Sequence, residues 1–146
     1  MPLPPLLNLP DEAAYRAHFE REYVHRSAVV TPDGIAVRFF PERFDHAFYR
    51  SSCREVQDKA IFDTQRAERM HWIRAVLTDA SLERYRDPRK PKEFWCVVLE
   101  PTTPYVVVIK LYKKYPPMAR FITAFVVEDS WGYLIKMRRM PRWQRP

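Results

Sequence analysis

Residues 105 to 127, YVVVIKLYKKYPPMARFITAFVV, constrain the fold of this chain more than any other stretch. They hold two strand-like runs joined by a basic, proline-containing turn. Tyr105, Val107, Ile109 and Leu111 alternate with Val106, Val108, Lys110 and Tyr112, and Ile122, Ala124 and Val126 alternate with Phe121, Thr123, Phe125 and Val127. Side chains repeat every two residues in a strand, so a slip of one residue sends a whole apolar set to the opposite side. The register that keeps the two apolar faces together therefore puts Lys110, Tyr112, Phe121, Thr123 and Phe125 on the other face, with Lys110 and Thr123 as cross-strand or diagonal neighbours. That face mixes a cation, a hydroxyl and aromatic rings, and in a basic protein it is where a nucleic acid would bind.

The chain has 146 residues, 47% hydrophobic and 29% charged, enough for a single core and one domain. Fourteen prolines stand against 2 glycines, too few for a glycine-rich phosphate loop, which removes nucleotide-binding folds built on one. Twenty-five Lys and Arg against 18 Asp and Glu give a formal charge of +7, which favours a polyanionic partner. Cys53 and Cys96 have no metal-ligand spacing, so neither a disulfide nor a zinc site is expected and the chain reads as reduced and cytoplasmic. The start, MPLPPLLNLPD, lacks the basic segment of a signal peptide, and no run is long enough to span a bilayer. No cofactor, metal or membrane is called for.

Asp11 is placed to cap a helix running to about Val24. Ser27 to Phe40 reads as a small hairpin around Thr31-Pro32-Asp33-Gly34, and His18 and His25, without acidic or metal-like partners, read as surface residues. From Glu42 to about Ser52 a short helix buries Phe44, Ala47 and Phe48 and leaves His46 and Arg50, four apart, together on its outer face. Two readings of that pair stay open: a solvated face, or a titrating group beside a fixed positive charge for phosphodiester chemistry. The segment 52–64 loops back with Arg54, Lys59 and Asp63.

Asp63 or Thr64 caps the longest helix, TQRAERMHWIRAVLTD. Arg66 and Arg69 fall inside its apolar arc. They either pair with Asp63 and Glu68 at the core edge or point into a cleft beside a helix start that favours anions. His71 falls outside the arc and is given no role. LERYRDPRKPKE reads as a basic loop before a third strand. The strands near 94–99, 105–112 and 121–127 then form an antiparallel meander, with a further edge strand in 130–137 and a basic tail after it.

FDHAFYRS, then KAIFDTQRAERMHWIRAVLTD, then the VVVIKLY and FITAFVV strands resemble the phage-associated nucleases of the barnase, EndoU, colicin and RelE superfamily, over roughly residues 42 to 128. The carrying motifs are the early histidine, the RAER helix followed by Trp72, and the F-x-T-A-F strand. The resemblance implies an α+β domain with N-terminal helices packed on a curved antiparallel meander. Its parts would be an N-terminal helix and hairpin at 1–41, a nuclease core at 42–137 and a basic tail at 138–146.

It also implies a metal-independent endoribonuclease or toxin-like activity, with His46 and Thr123 at the family's motif positions and an antitoxin or immunity protein as a partner. In that reading His46 is the general acid or base and Thr123 and Lys110 complete the catalytic set. Arg50, Lys59, Arg66 and Arg69 hold phosphates, and Tyr112, Phe121 and Phe125 stack the bases of a single-stranded RNA. The alternative is a module that keeps the fold and the charge and binds nucleic acid or a protein partner without cleaving.

Overall fold

A computed structural model of the chain describes residues 3–51, 61–81, 83–86, 89–90, 92–98, 105–127 and 139. Helix α1, Glu12–Phe19, starts where the Asp11 carboxylate accepts a hydrogen bond from the Ala14 amide at 2.9 Å, and it continues as a wider π-helical turn, Glu20–Val24. Tyr15, Phe19 and Tyr23, four apart, make its buried stripe. The hairpin follows as β1 (Val29–Val30) and β2 (Ala36–Arg38). Its turn is closed by Thr31, whose hydroxyl accepts from the Ile35 amide, and by Gly34 at φ 89°.

A 3-10 turn, Pro41–Arg43, leads into α2 (Phe44–Ala47). The helix expected to reach Ser52 stops at Ala47. The chain turns extended as β3 (Tyr49–Arg50) and pairs with β4 (Ile61–Phe62), while the Asp63 amide donates to the Phe48 carbonyl. Aromatic packing of Tyr49 and Phe62 against Phe44 outweighs continuation of the helix. The single long helix expected next is two: α3 (Thr64–Ala67), capped by Asp63, and α4 (Met70–Thr78). The reason lies far away in sequence. Leu7 donates its amide to the Glu68 carbonyl at 2.7 Å, so Trp72 bonds the Arg69 carbonyl instead of the fourth residue back, and its indole fastens to the Pro4 carbonyl.

The remaining strands are β5 (Glu83–Arg86), β6 (Glu93–Val98), β7 (Tyr105–Lys113) and β8 (Met118–Val126), in a six-stranded sheet of order β1-β2-β8-β7-β6-β5. The meander from β5 to β8 is antiparallel, but β2 lies parallel to β8, so the sheet is mixed and not the purely antiparallel one expected. β5 falls where a basic loop was expected. Tyr85 buries itself from a strand whose flanking arginines hide the alternation. Arg84 of β5 donates to Asp33 in the β1–β2 turn, so the two ends of the strand order approach each other and the sheet is curled.

A β-bulge decides which residues face where. Val108 pairs with Thr123 and Ile109 with Phe121, leaving Ile122 as the extra residue. The parity of β8 therefore changes at Ile122. Phe121 lies on the helix-covered face, 0% exposed, and is not on the polar face with Lys110 as the alternation predicted. The main core joins Tyr105, Val107, Ile109, Ala119, Phe121 and Ala124 of the sheet to Phe19, Phe44, Met70 and Ile73 of the helices. It also takes Ile35, Val37 and Phe39, so the packing runs without a break across residue 41. The opposite face carries a smaller cluster of Tyr85, Val106, Val108 and Val127 at one end and Lys110 with Arg120 at the other. The architecture is α+β in one small domain. The expected strand at 130–137, the basic tail apart from residue 139, Cys53, Arg54 and Lys59 lie outside the described residues.

Candidate functional site

The two flanks of α2 have different partners, and that orients the helix. Phe44, Ala47 and Phe48 form the buried stripe, as expected. On one flank Asp45 pairs with Arg16 of α1 at 2.6 Å, and the Arg16 guanidinium lies 4.4 Å from the Phe44 ring centre. On the other flank Arg43 donates from Nε and Nη2 to the Ile122 carbonyl of β8, at 3.1 and 2.7 Å. β2 pairs with β8 only along Met118–Arg120, so beyond Arg120 no strand lies beside that edge among the described residues. Arg43 supplies the donors that the bulged carbonyl lacks.

His46 follows Arg43 by three residues in one continuous helical segment and therefore lies on the Arg43 flank, toward the free edge of β8. Its ring is exposed. Arg66 approaches the same edge from α3. Its Nε is 3.4 Å from Asp63, its Nη1 makes long hydrogen bonds to the Ala47 and Tyr49 carbonyls, and its guanidinium carbon is 5.8 Å from the Phe125 ring centre. Thr123 and Phe125, both half-buried, stand next along β8 from the carbonyl that Arg43 holds. Burial pushes the Arg43 guanidinium below its ordinary pKa, Glu42 opposes that, and the neighbouring charge of Arg120 adds to it. An exposed imidazole thus stands one helical turn from the arginine that grips the β8 edge, while the Thr123 hydroxyl, next along that strand, shares with Lys110 and Arg120 the face opposite the main core. That is the inventory for moving a proton next to a phosphate.

The other expected site residues divide. Lys110 and Thr123 are diagonal neighbours on one face, through the pairs Val108–Thr123 and Lys110–Arg120. No hydrogen bond or ion pair joins either of them to His46 among the described residues. Arg50 is exposed on β3, and Tyr112 is 45% exposed at a second irregularity in β7. Phe121 is in the core, with ring centres at 5.0 Å to Phe39 and 6.3 Å to Phe19, and cannot stack a base. Arg69 turns to its own surroundings: it pairs with Glu68 at 2.8 Å, donates to the Gln65 carbonyl and covers Trp72. Lys59 lies outside the described residues.

Two functional candidates escaped sequence reasoning. Arg43 carries a legible signal, since its spacing from His46 is that of side-by-side residues on a helical turn. Arg120 does not, because its facing depends on β8 starting at Met118, inside what reads as a turn.

His18, read as a surface residue without partners, is instead paired with His71, which was given no role, Nε2 to Nε2 at 2.6 Å, with Arg21 at 2.9 Å from His18 Nδ1. A guanidinium only donates, so His18 Nδ1 accepts. Its proton then sits on Nε2 and is donated to His71. Burial, with the charges of His71 and Arg21, holds the His18 pKa below its ordinary value, while Glu22 opposes. Among the described residues no group of three or more His, Cys, Asp or Glu is placed to hold a metal ion, and no helix is long and apolar enough to cross a membrane. Comparison of the chain with protein-family models, curated proteins and solved structures found no match.

Proposed function

We propose that the chain is a small endoribonuclease of the barnase, EndoU, colicin and RelE kind, working at the free edge of β8. The observation that carries this reading is the double hydrogen bond from Arg43 to the Ile122 carbonyl, which ties the start of α2, three residues before His46, to the β8 edge next to Thr123. His46 takes the proton of a ribose 2′-hydroxyl as that oxygen attacks the adjacent phosphorus. The imidazolium then returns the proton to the departing 5′ oxygen, so a 2′,3′-cyclic phosphate and a 5′-hydroxyl result. Arg43, Arg66 and Arg120 neutralise the phosphorane, and the Thr123 hydroxyl donates to a nonbridging oxygen. Phe125 offers a ring to one base, and Lys110 holds a phosphate one strand away. The guanidiniums supply the cationic charge, so cleavage is independent of metal. A toxin-like activity of this kind calls for an acidic neutralising protein, whose target would be the same cationic edge.

The test is labelled single-stranded RNA incubated with the protein in EDTA. Fragments ending in cyclic phosphate, with the all-deoxy strand left uncut for want of a 2′-hydroxyl, support the reading. Binding that weakens with salt and yields no fragments replaces it with the noncatalytic module, which the position of Lys110, away from His46, favours.

A further inference from the structure

Three cations stand side by side across the sheet. Arg38 of β2 pairs with Arg120 of β8, and Arg120 pairs with Lys110 of β7, all on the face opposite the main core because their neighbours Val37, Ala119 and Ile109 fill that core. Adjacent strands are about 4.8 Å apart, and like charges directly opposite one another disfavour the sheet. None of the three has a hydrogen bond or ion pair among the described residues.

The row continues to Glu93 of β6, opposite Lys110, and there it opens on a cleft of about 430 Å³ lined by Lys90, Lys92, Glu93 and Lys110. That volume suits a single nucleotide. Two backbone bonds fix the cleft: Glu93 donates to the Lys90 carbonyl at 2.9 Å and Leu111 to the Lys92 carbonyl at 2.8 Å. Among the described lining residues three ammonium groups stand against one carboxylate, and Glu93 pairs with Lys90 at 3.9 Å, so a net positive charge on Lys92 and Lys110 is left to favour an anion. Phe40 and Tyr112, 37% and 45% exposed, each lie two residues along the chain from a member of the row and offer rings to unpaired bases.

We propose that this row is the track for the RNA flanking the cleavage point, running from the β8 edge across β7 to a nucleotide-sized cleft beside β6. The track rests on the reading of the chain as RNA-directed, and it adds a subsite remote from His46. A single strand fits where a duplex does not, because alternate cations and rings need unstacked bases within reach.

The test uses the full chain and a 2′-O-methyl RNA of about twelve nucleotides, which cannot be cleaved and is long enough to reach the cleft. Lys90→Glu with Lys92→Glu should weaken its binding at least tenfold, lower the salt slope by about 1.4 for two lost phosphate contacts, and leave binding and cleavage of a trinucleotide unchanged. Lys90→Arg with Lys92→Arg should keep wild-type affinity. Twelve-nucleotide affinity within twofold of wild type in the Glu variant overturns the track. Competition by polyglutamate as strong as by RNA overturns the RNA assignment. If no RNA is cleaved and the Glu variant still loses twelve-nucleotide binding, the nuclease reading fails and the track stands.

Discussion

Replacing Phe121 by alanine tests the bulge on which the facing of β8 depends. A regular strand would put Phe121 beside Lys110, where truncation would change stability by less than about 1 kcal/mol. With Ile122 as the extra residue, Phe121 is instead fully enclosed, opposite Ile109 and stacked on Phe39 at 5.0 Å. Removing a buried phenyl ring costs about 3–5 kcal/mol from lost transfer energy and the cavity left behind. At roughly 2–4 °C per kcal/mol for a chain of this size, the melting temperature should fall by about 6–20 °C. Urea denaturation followed by tryptophan fluorescence and far-ultraviolet circular dichroism gives the free-energy difference, with Phe125→Ala as a half-buried comparison that should cost less. A loss under about 1 kcal/mol for Phe121→Ala would refute the bulged register, and with it the position of Thr123 next to the Arg43-bound carbonyl.

Gly34→Ala should destabilise the chain by about 1–2 kcal/mol in urea denaturation, because φ 89° is a left-handed position that a Cβ disfavours. Arg43→Met removes both bonds to Ile122 and should cost about 1–2 kcal/mol and at least tenfold in RNA cleavage; Arg43→Lys should recover only part of each, because a point charge cannot repeat the forked contact. The His18 pKa is depressed in the folded chain, so the unfolded chain binds the extra proton first as pH falls. Its contribution to stability is whole above the ordinary histidine value near 6.5 and declines below it. His18→Gln should flatten the fall in the urea midpoint between about pH 7 and pH 5.5, whereas an unaltered fall would separate that pH dependence from the pair His18 makes with His71 beside Arg21 and Glu22.

The meander was readable because period-two alternation survives in 105–112, and the Thr31–Gly34 turn because its residues suit one backbone geometry. What escaped is what depends on distant partners. The break at Glu68 comes from Leu7, sixty-one positions away. The parallel pairing of β2 with β8 is invisible in either strand alone, and the parity change at Ile122 leaves no mark in the amino acids around it. Around the candidate site, the outer-face position of His46 on α2 and the diagonal placement of Lys110 and Thr123 were legible from local periodicity. Phe121 was misassigned because of the bulge, whereas Arg66 and Arg69 take the first of the two readings open to them, pairing with Asp63 and Glu68.

Turnover of single-stranded RNA by His46→Ala, measured in EDTA beside binding of the uncleavable 2′-O-methyl strand, bears most directly on the claim that the α2 imidazole works at the free edge of β8. The variant should keep its fold and its affinity and lose about 10²–10⁴-fold in cleavage, the range for removing a general acid–base. Cleavage at the wild-type rate would contradict it.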